Sequence, residues 1–310
     1  MPKGIEVFEI HPDAARNHFR RSLFIHLGAK TFSKDLVCDT IVQMHEHPQF
    51  NPRNQSNEDM IAHMMFLYRA NWKNLGNHDL WLVTEFGSAR RGSDIYLDSE
   101  ELHSATTLLK EHRKEYPFLH EDYFQAFSCT DLDWTAWLVK NLRLAKYPRL
   151  VVPSTDPESI LSKDFQLLLS TCSSQQILLL LRDNWDYYST WIGPDNSLTM
   201  EASRTKLTEK LSSIQVTCCG GREAPLNQTI IPMGDMVHES IIEMFLLDIP
   251  EPEDTRWKCL RHLGVVVESG AGPFIQCLQR LKVSGASLKQ VSELYTQIQR
   301  HAVRHGETIR

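Results

Sequence analysis

The sequence predicts an α+β protein, mostly helical, with a β-hairpin in its N-terminal half and short strands in its C-terminal half. Three observations carry this. Apolar residues recur at helical spacing through much of the chain, as at Ile61, Met64, Tyr68 and Trp72. The period shortens to apolar and β-branched runs at Leu80–Thr84 and again from Ile214, each followed by a glycine-bearing link. Between these regions, residues 116–152 hold Trp134 and Trp137 between two proline stops, Pro117 and Pro148.

Asp13 is a candidate cap for a first helix through His26, with Ala15, Phe19 and Leu23 on one face and Gly28 as its left-handed stop. Ser33 caps a second helix with the stripe Val37, Ile41, Met44, ended by Pro48. A polar loop covers residues 49–57. Ser56 or Asn57 then opens a third helix. Leu80–Thr84 and Ser93–Leu97 read as the two strands of a hairpin whose long loop is Phe86–Gly92. A short helix follows from Glu100 to Lys114.

In the central stretch Asp131 or Asp133 caps a helix whose stripe is Trp134, Trp137, Leu138, Leu142, interrupted by Asn141. This is the pattern of a core helix; a groove lined by tryptophan is the functional alternative. Pro148 ends the helix region, and Leu150–Val152 reads as extended. Asp156 and Pro157 start a helix carrying Leu161, Phe165 and Leu168, which Ser173 and Ser174 break. One helix is expected over 175–191 and a mostly polar one over 200–211. Ile214–Cys218, the Gly220-Gly221 turn and Thr229–Pro232 follow as strands. A helix or turn is expected over 234–243. Phe245–Leu247 leads to a stiff acidic linker containing Pro250 and Pro252. Thr255 caps a helix stopped by Gly264, Val265–Val267 is a short strand, and helices start at Pro273 and Ser287, the second with capping-box spacing. Three parts are expected: 1–152, a helical bundle with the hairpin; 153–249, α+β; and 250–310, small and helical.

The chain of 310 residues is 42% hydrophobic and 23% charged, with a net charge of −6. Interspersed charge of this sign argues against a nucleic-acid footprint. A local basic feature such as Arg90-Arg91 is what a nucleic-acid module would use. The seven cysteines are scattered and odd in number, without C-x-x-C, unlike a disulfide framework. The first residues lack an apolar signal core, and the longest apolar run, Ile177–Leu181, is far too short to span a membrane. These features predict an intracellular protein, cytoplasmic or nuclear, with no membrane partner.

Candidate chemistry is sparse. His45-Glu46-His47 brings to mind a metal, but residues two apart on a helix diverge, and a solvated helix end is expected. Cys218 or Cys219, beside Gly220-Gly221, forms a nucleophile candidate with His238 as base; it needs a lowered thiol pKa and a base within reach. Gly264, Gly270 and Gly272 match no phosphate-loop pattern. Glu85, Asp94 and Asp98 lie near the hairpin, though spacing alone does not pair them. No catalytic, cofactor or metal residue is therefore assigned.

Four segments carry a resemblance: Trp81–Val83 with Gly92–Leu97; Phe118–Tyr123 with Trp137-Leu138 and Pro148–Leu150; Leu211–Val216 with Pro225–Pro232; and Trp257–Leu260 with Leu263–Val265 and Val291–Gln299. In this order, over about 80–300, they resemble the region that follows the ATPase domain in large proteins of the NO VEIN and sacsin-like type, chiefly fungal relatives. The resemblance implies a non-catalytic scaffold or protein-interaction segment whose partner is another protein or an adjacent ATPase domain. Nucleotide binding in that family needs an Asn-bearing helix and a D-x-G-x-G loop. This chain has no D-x-G-x-G, and Asn71, Asn74 and Asn77 stand near a helix end without it. The alternative is a divergent cysteine-dependent hydrolase using Cys218 or Cys219 with His238.

Overall fold

The computed structural model describes residues 10–30, 33–125, 132–151, 161–193, 201–232, 245–267, 274, 277–279, 281–282, 285 and 287–305. The fold is α+β, dominated by helices, and the described strands form three two-stranded sheets. The chain forms two compact units, Met1–Pro148 and Arg149–Arg310.

In the first unit the helix expected from Asp13 to His26 is instead two, α1 (Pro12–Ala15) and α2 (His18–His26). The reason is Asn17, whose side-chain oxygen accepts from the Phe19 and Arg20 amides and caps a new helix. Phe19 is 85% exposed, so the apolar face expected for this region is not buried. The next two helices follow their sequence signals. Ser33 caps α3 (Lys34–Glu46) and Ser56 caps α4 (Asn57–Arg69), each by accepting from the third amide of its helix. Their stripes, Val37, Ile41, Met60, Met64 and Leu67, enter one core. Burying each such side chain contributes roughly 1.5–3 kcal/mol.

The hairpin is real, but its second strand differs from the expectation. Strand β1 (Trp81–Val83) pairs antiparallel with β2 (Ala89–Arg91), setting Trp81 opposite Arg91 and Val83 opposite Ala89. The loop is short because Gly87, at φ +73°, closes a three-residue turn: its amide donates to Thr84 O, and the Thr84 amide donates to Ser88 O. The expected partner, residues 93–97, starts as a 3-10 turn, Gly92–Asp94. Tyr96 then bridges to Phe118 and Ala145 in parallel, away from β1. Those neighbours satisfy its backbone and bury its ring completely.

The helix expected over 100–114 resolves into α5 (Ala105–Leu108) and a 3-10 turn, Lys110–Glu115; α6 (Asp122–Gln125) is a single turn. Helix α7 (Leu132–Leu142) is the core helix the tryptophans predicted. Trp134 and Trp137 stack 5.4 Å apart, and their indole N–H groups donate to Tyr123 O and Trp72 O. Asn141 interrupts the stripe to tie down another loop: its Oδ1 accepts from the Asn74 amide and its carbonyl from Asn74 Nδ2. The Asp131 candidate cap lies outside the described residues.

In the second unit Ser162 caps α8 (Lys163–Thr171); Asp156 lies outside the described residues. The single helix expected over 175–191 is two, α9 (Ser174–Asp183) and α10 (Trp185–Ile192), because Asn184 leaves helical geometry at φ −122° and ψ 32°. Ser173 and Gln176 form a reciprocal capping box at the start of α9. Helix α11 (Glu201–Ser212) matches its expectation. Strand β3 (Gln215–Cys218) turns through Gly220-Gly221 into β4 (Arg222–Pro225), which the sequence did not reveal. Strand β5 (Thr229–Ile230) pairs in parallel with β6 (Phe245–Leu246), a segment expected only to lead into a linker. Val266 bridges to Ile230 on the other side. The turn Thr255–Leu263 is 3-10 rather than α, capped by Asp254 and stopped by Gly264 at φ +83°. Helix α12 (Leu288–His305) runs to the end of the described chain. The expected turn over 234–243 and helix start at Pro273 lie outside the described residues.

Candidate functional site

A concavity in the first unit lies between the loop joining α3 to α4 and the β1–β2 hairpin. Its volume is about 810 Å³, and its lining includes Phe50, Arg53, Met60, Trp81, Phe86 and Arg90. Local chemistry sets its walls. Pro48 follows the end of α3, and Asn51 accepts the Arg53 amide to start a 3-10 turn at Pro52–Asn54. The opposite wall is the Trp81–Val83–Ala89 face of the hairpin. The hairpin tip contributes Phe86, which is 57% exposed.

Under these walls lies a buried histidine pair. His45 and His63 have no exposed surface, and His45 Nε2 lies 3.1 Å from His63 Nδ1. His45 Nδ1 accepts the Trp81 amide, so in neutral His45 the proton sits on Nε2 and is donated to His63. The imidazole also stacks on Phe50, with centroids 4.9 Å apart. One side chain thus holds both aromatic walls. Burial, then the neighbouring His63 and the Arg91 charge, drive the His45 pKa down to about 3. His45 is accordingly not the solvated helix-end residue expected from the sequence. The packing of α3 against α4 covers it.

The groove's charge is one-sided. Arg53 and Arg90 are its only ionisable lining residues, and neither has an ion-pair partner among the described residues. Arg91 has a different role. Its guanidinium lies 4.3 Å from the Trp81 ring centre and donates to His45 O and Asp79 O. So the basic dipeptide is split: Arg91 braces the hairpin, and Arg90 faces solvent.

The other sequence candidates are not brought together. Glu46 pairs with His78 at 2.6 Å and His47 is exposed. No group of three His, Cys, Asp or Glu side chains capable of holding a metal occurs among the described residues. Burial pushes the Cys218 thiol up to about 11 and also raises that of Cys219, the reverse of nucleophile activation. Their thiols donate to the Val216 and Leu247 carbonyls. His238 lies outside the described residues. Glu85 and Asp98 both bind Arg113, at 2.9 and 2.6 Å. Burial pulls the Asp98 carboxyl upward, but hydrogen bonds from Arg113 and Thr106 outweigh it and leave its pKa lowered. Asp94 is exposed. Gly264 is a helix stop, and Gly270 and Gly272 lie outside the described residues. Asn71 and Asn77 adopt positive φ, and Asn74 donates to His78 O and Asn141 O.

Phe50, Arg53 and Phe86 were not singled out by sequence. The available signal for Phe86 was an aromatic side chain in a polar, glycine-bearing turn. No described helix is long and apolar enough to cross a membrane. No family model, curated protein or solved structure matches this chain.

Proposed function

We propose that this chain is a non-catalytic scaffold or protein-interaction segment, akin to the region after the ATPase domain in NO VEIN and sacsin-like proteins. The observation that supports it is the groove of the first unit. It offers aromatic surface from Phe50, Trp81 and Phe86 beside two arginines, and its lining holds no His, Cys, Asp, Glu or Lys side chain. Aromatic and arginine side chains are the residue types that anchor protein interfaces. The partner is another protein or an adjacent ATPase domain, within an intracellular setting.

The test has two arms. Quantitative affinity purification compares the native chain with Trp81→Ala/Phe86→Ala, whose helical content is checked by circular dichroism. A defined set of proteins lost from the folded variant is expected. Titration calorimetry with ATP is expected to give no heat of binding. Identical protein sets for both chains, or stoichiometric ATP binding, would overturn the proposal.

A further inference from the structure

The hairpin register gives the groove a more specific property. The close ladder contacts fall at Thr84–Ser88 and Leu80–Gly92, and the alternation of an antiparallel pair then assigns Leu82–Arg90 to the same hydrogen-bonded set. The backbone groups of Trp81, Val83, Ala89 and Arg91 therefore point away from the ladder. On the β1 side three of them are bonded: Trp81 N–H to His45, Val83 N–H to the Tyr123 hydroxyl, and Val83 C=O to the His120 amide. On the β2 side, the Ala89 and Arg91 main-chain groups have no hydrogen-bond partner among the described residues.

An unpaired strand edge is a template for another extended chain. Short length and cations are ways of keeping such an edge from self-pairing. Here the cations also select. Arg53 and Arg90 line the groove without an ion-pair partner, and no carboxylate lines it. The aromatic groups Phe50, Trp81 and Phe86 lie in the same lining, within reach of alternate side chains of a paired strand.

We propose that β2 takes up an extended acidic segment of a partner protein as an added strand. Its backbone pairs with Ala89 and Arg91, its carboxylates meet Arg53 and Arg90, and its apolar side chains enter the aromatic groove. The inference rests on the protein-interaction proposal above and narrows it to one surface and one ligand chemistry.

The test uses the full chain and a fluorescein-labelled ten-residue peptide alternating Glu with Val or Phe. Its counterparts carry Lys for Glu, or N-methyl groups on alternate amides. Saturable binding of the acidic peptide is expected, with the lysine and N-methyl peptides each at least roughly tenfold weaker. Arg53→Ala and Arg90→Ala should each weaken binding roughly fivefold, the scale of one charge-assisted contact. Ala89→Pro removes an outward N–H while leaving the ladder to β1 intact, and should abolish binding. If that variant fails to fold, the N-methyl peptide reads the same hydrogen bonds. In the free protein the Ala89 and Arg91 amides should exchange quickly with deuterium, and peptide should protect them.

Equal binding of acidic and basic peptides, or no binding of either, overturns the inference. So does full binding by folded Ala89→Pro. Protection of the two amides in the free protein at every concentration would mean that a segment of this chain already occupies the edge; protection that grows with concentration would mean a second copy does. Either outcome overturns it too. A chain that binds no peptide but still loses partners on Trp81→Ala/Phe86→Ala keeps the broader proposal and removes only this one.

Discussion

Lowering the pH should destabilise the first unit through one imidazole, His45. Its ordinary pKa is 6.5, and burial, with His63 and Arg91, drives it to about 3 in the folded chain. Between these values the unfolded chain binds the proton and the folded chain does not. Stability therefore rises with pH in this window. The contribution is fully present above 6.5 and is lost progressively as pH falls through about 3. At pH 5 the unfolded imidazole is nearly all charged and the folded one nearly all neutral. The penalty relative to pH 8 is then about 2 kcal/mol. That figure is insensitive to the folded value so long as it stays well below 5.

The structural cause is specific. A protonated His45 has no acceptor for the Trp81 amide and places a second cation beside Arg91. The assay is urea unfolding at pH 8, 7, 6 and 5, followed by tryptophan fluorescence, for the native chain and His45→Gln. Glutamine can accept from Trp81 and donate to His63 without titrating. The native chain is expected to lose about 2 kcal/mol more than the variant between pH 8 and 5. Equal slopes, or a steeper slope for the variant, would refute the assignment.

Other outcomes follow from the packing. Trp134→Ala removes a buried indole stacked on Trp137 and should cost about 3–5 kcal/mol in urea unfolding. Gly92→Ala places a Cβ 2.0 Å from the Leu142 carbonyl oxygen, where α7 ends against the hairpin exit. It should lower stability by about 1–3 kcal/mol, read as a drop in melting temperature, and an unchanged value would contradict that contact. The Cys218 thiol, raised to about 11, should alkylate at pH 8 about a hundredfold more slowly than an ordinary thiol. Peptide mass spectrometry after iodoacetamide reads this directly, and rapid labelling of folded protein would show an accessible thiolate.

Several elements were legible because their signals are local. Ser33 and Ser56 cap helices with their own hydroxyls, and Gly264 stops one in a left-handed conformation; Ser173, read only as a break, also caps α9. Asn17 and Asn184 escaped notice because each breaks an otherwise continuous helical pattern by a choice of geometry rather than by composition. The hairpin was visible in Leu80–Thr84, but its partner was not. Residues 93–97 carry the better apolar pattern, whereas Ala89-Arg90-Arg91 looks like polar loop. The Gly87 turn and the pull of Phe118 and Ala145 on Tyr96 decided the register. The candidate groove was still less legible. It depends on His45, Phe50, His63 and Trp81 meeting across 36 residues of chain, and His45 alone looks like a solvated helix end.

The sequence by itself determined the α+β class, the caps of α3 and α4, the tryptophan core of α7 and the presence of the N-terminal hairpin. Each is set by residue type within one or two turns of chain. Tertiary structure alone decided which strand completes the hairpin, which arginine of the 90–91 pair braces and which faces solvent, and that His45 is buried and neutral. These depend on which surfaces meet, because a backbone amide or an imidazole takes its state from the partner that excludes water from it.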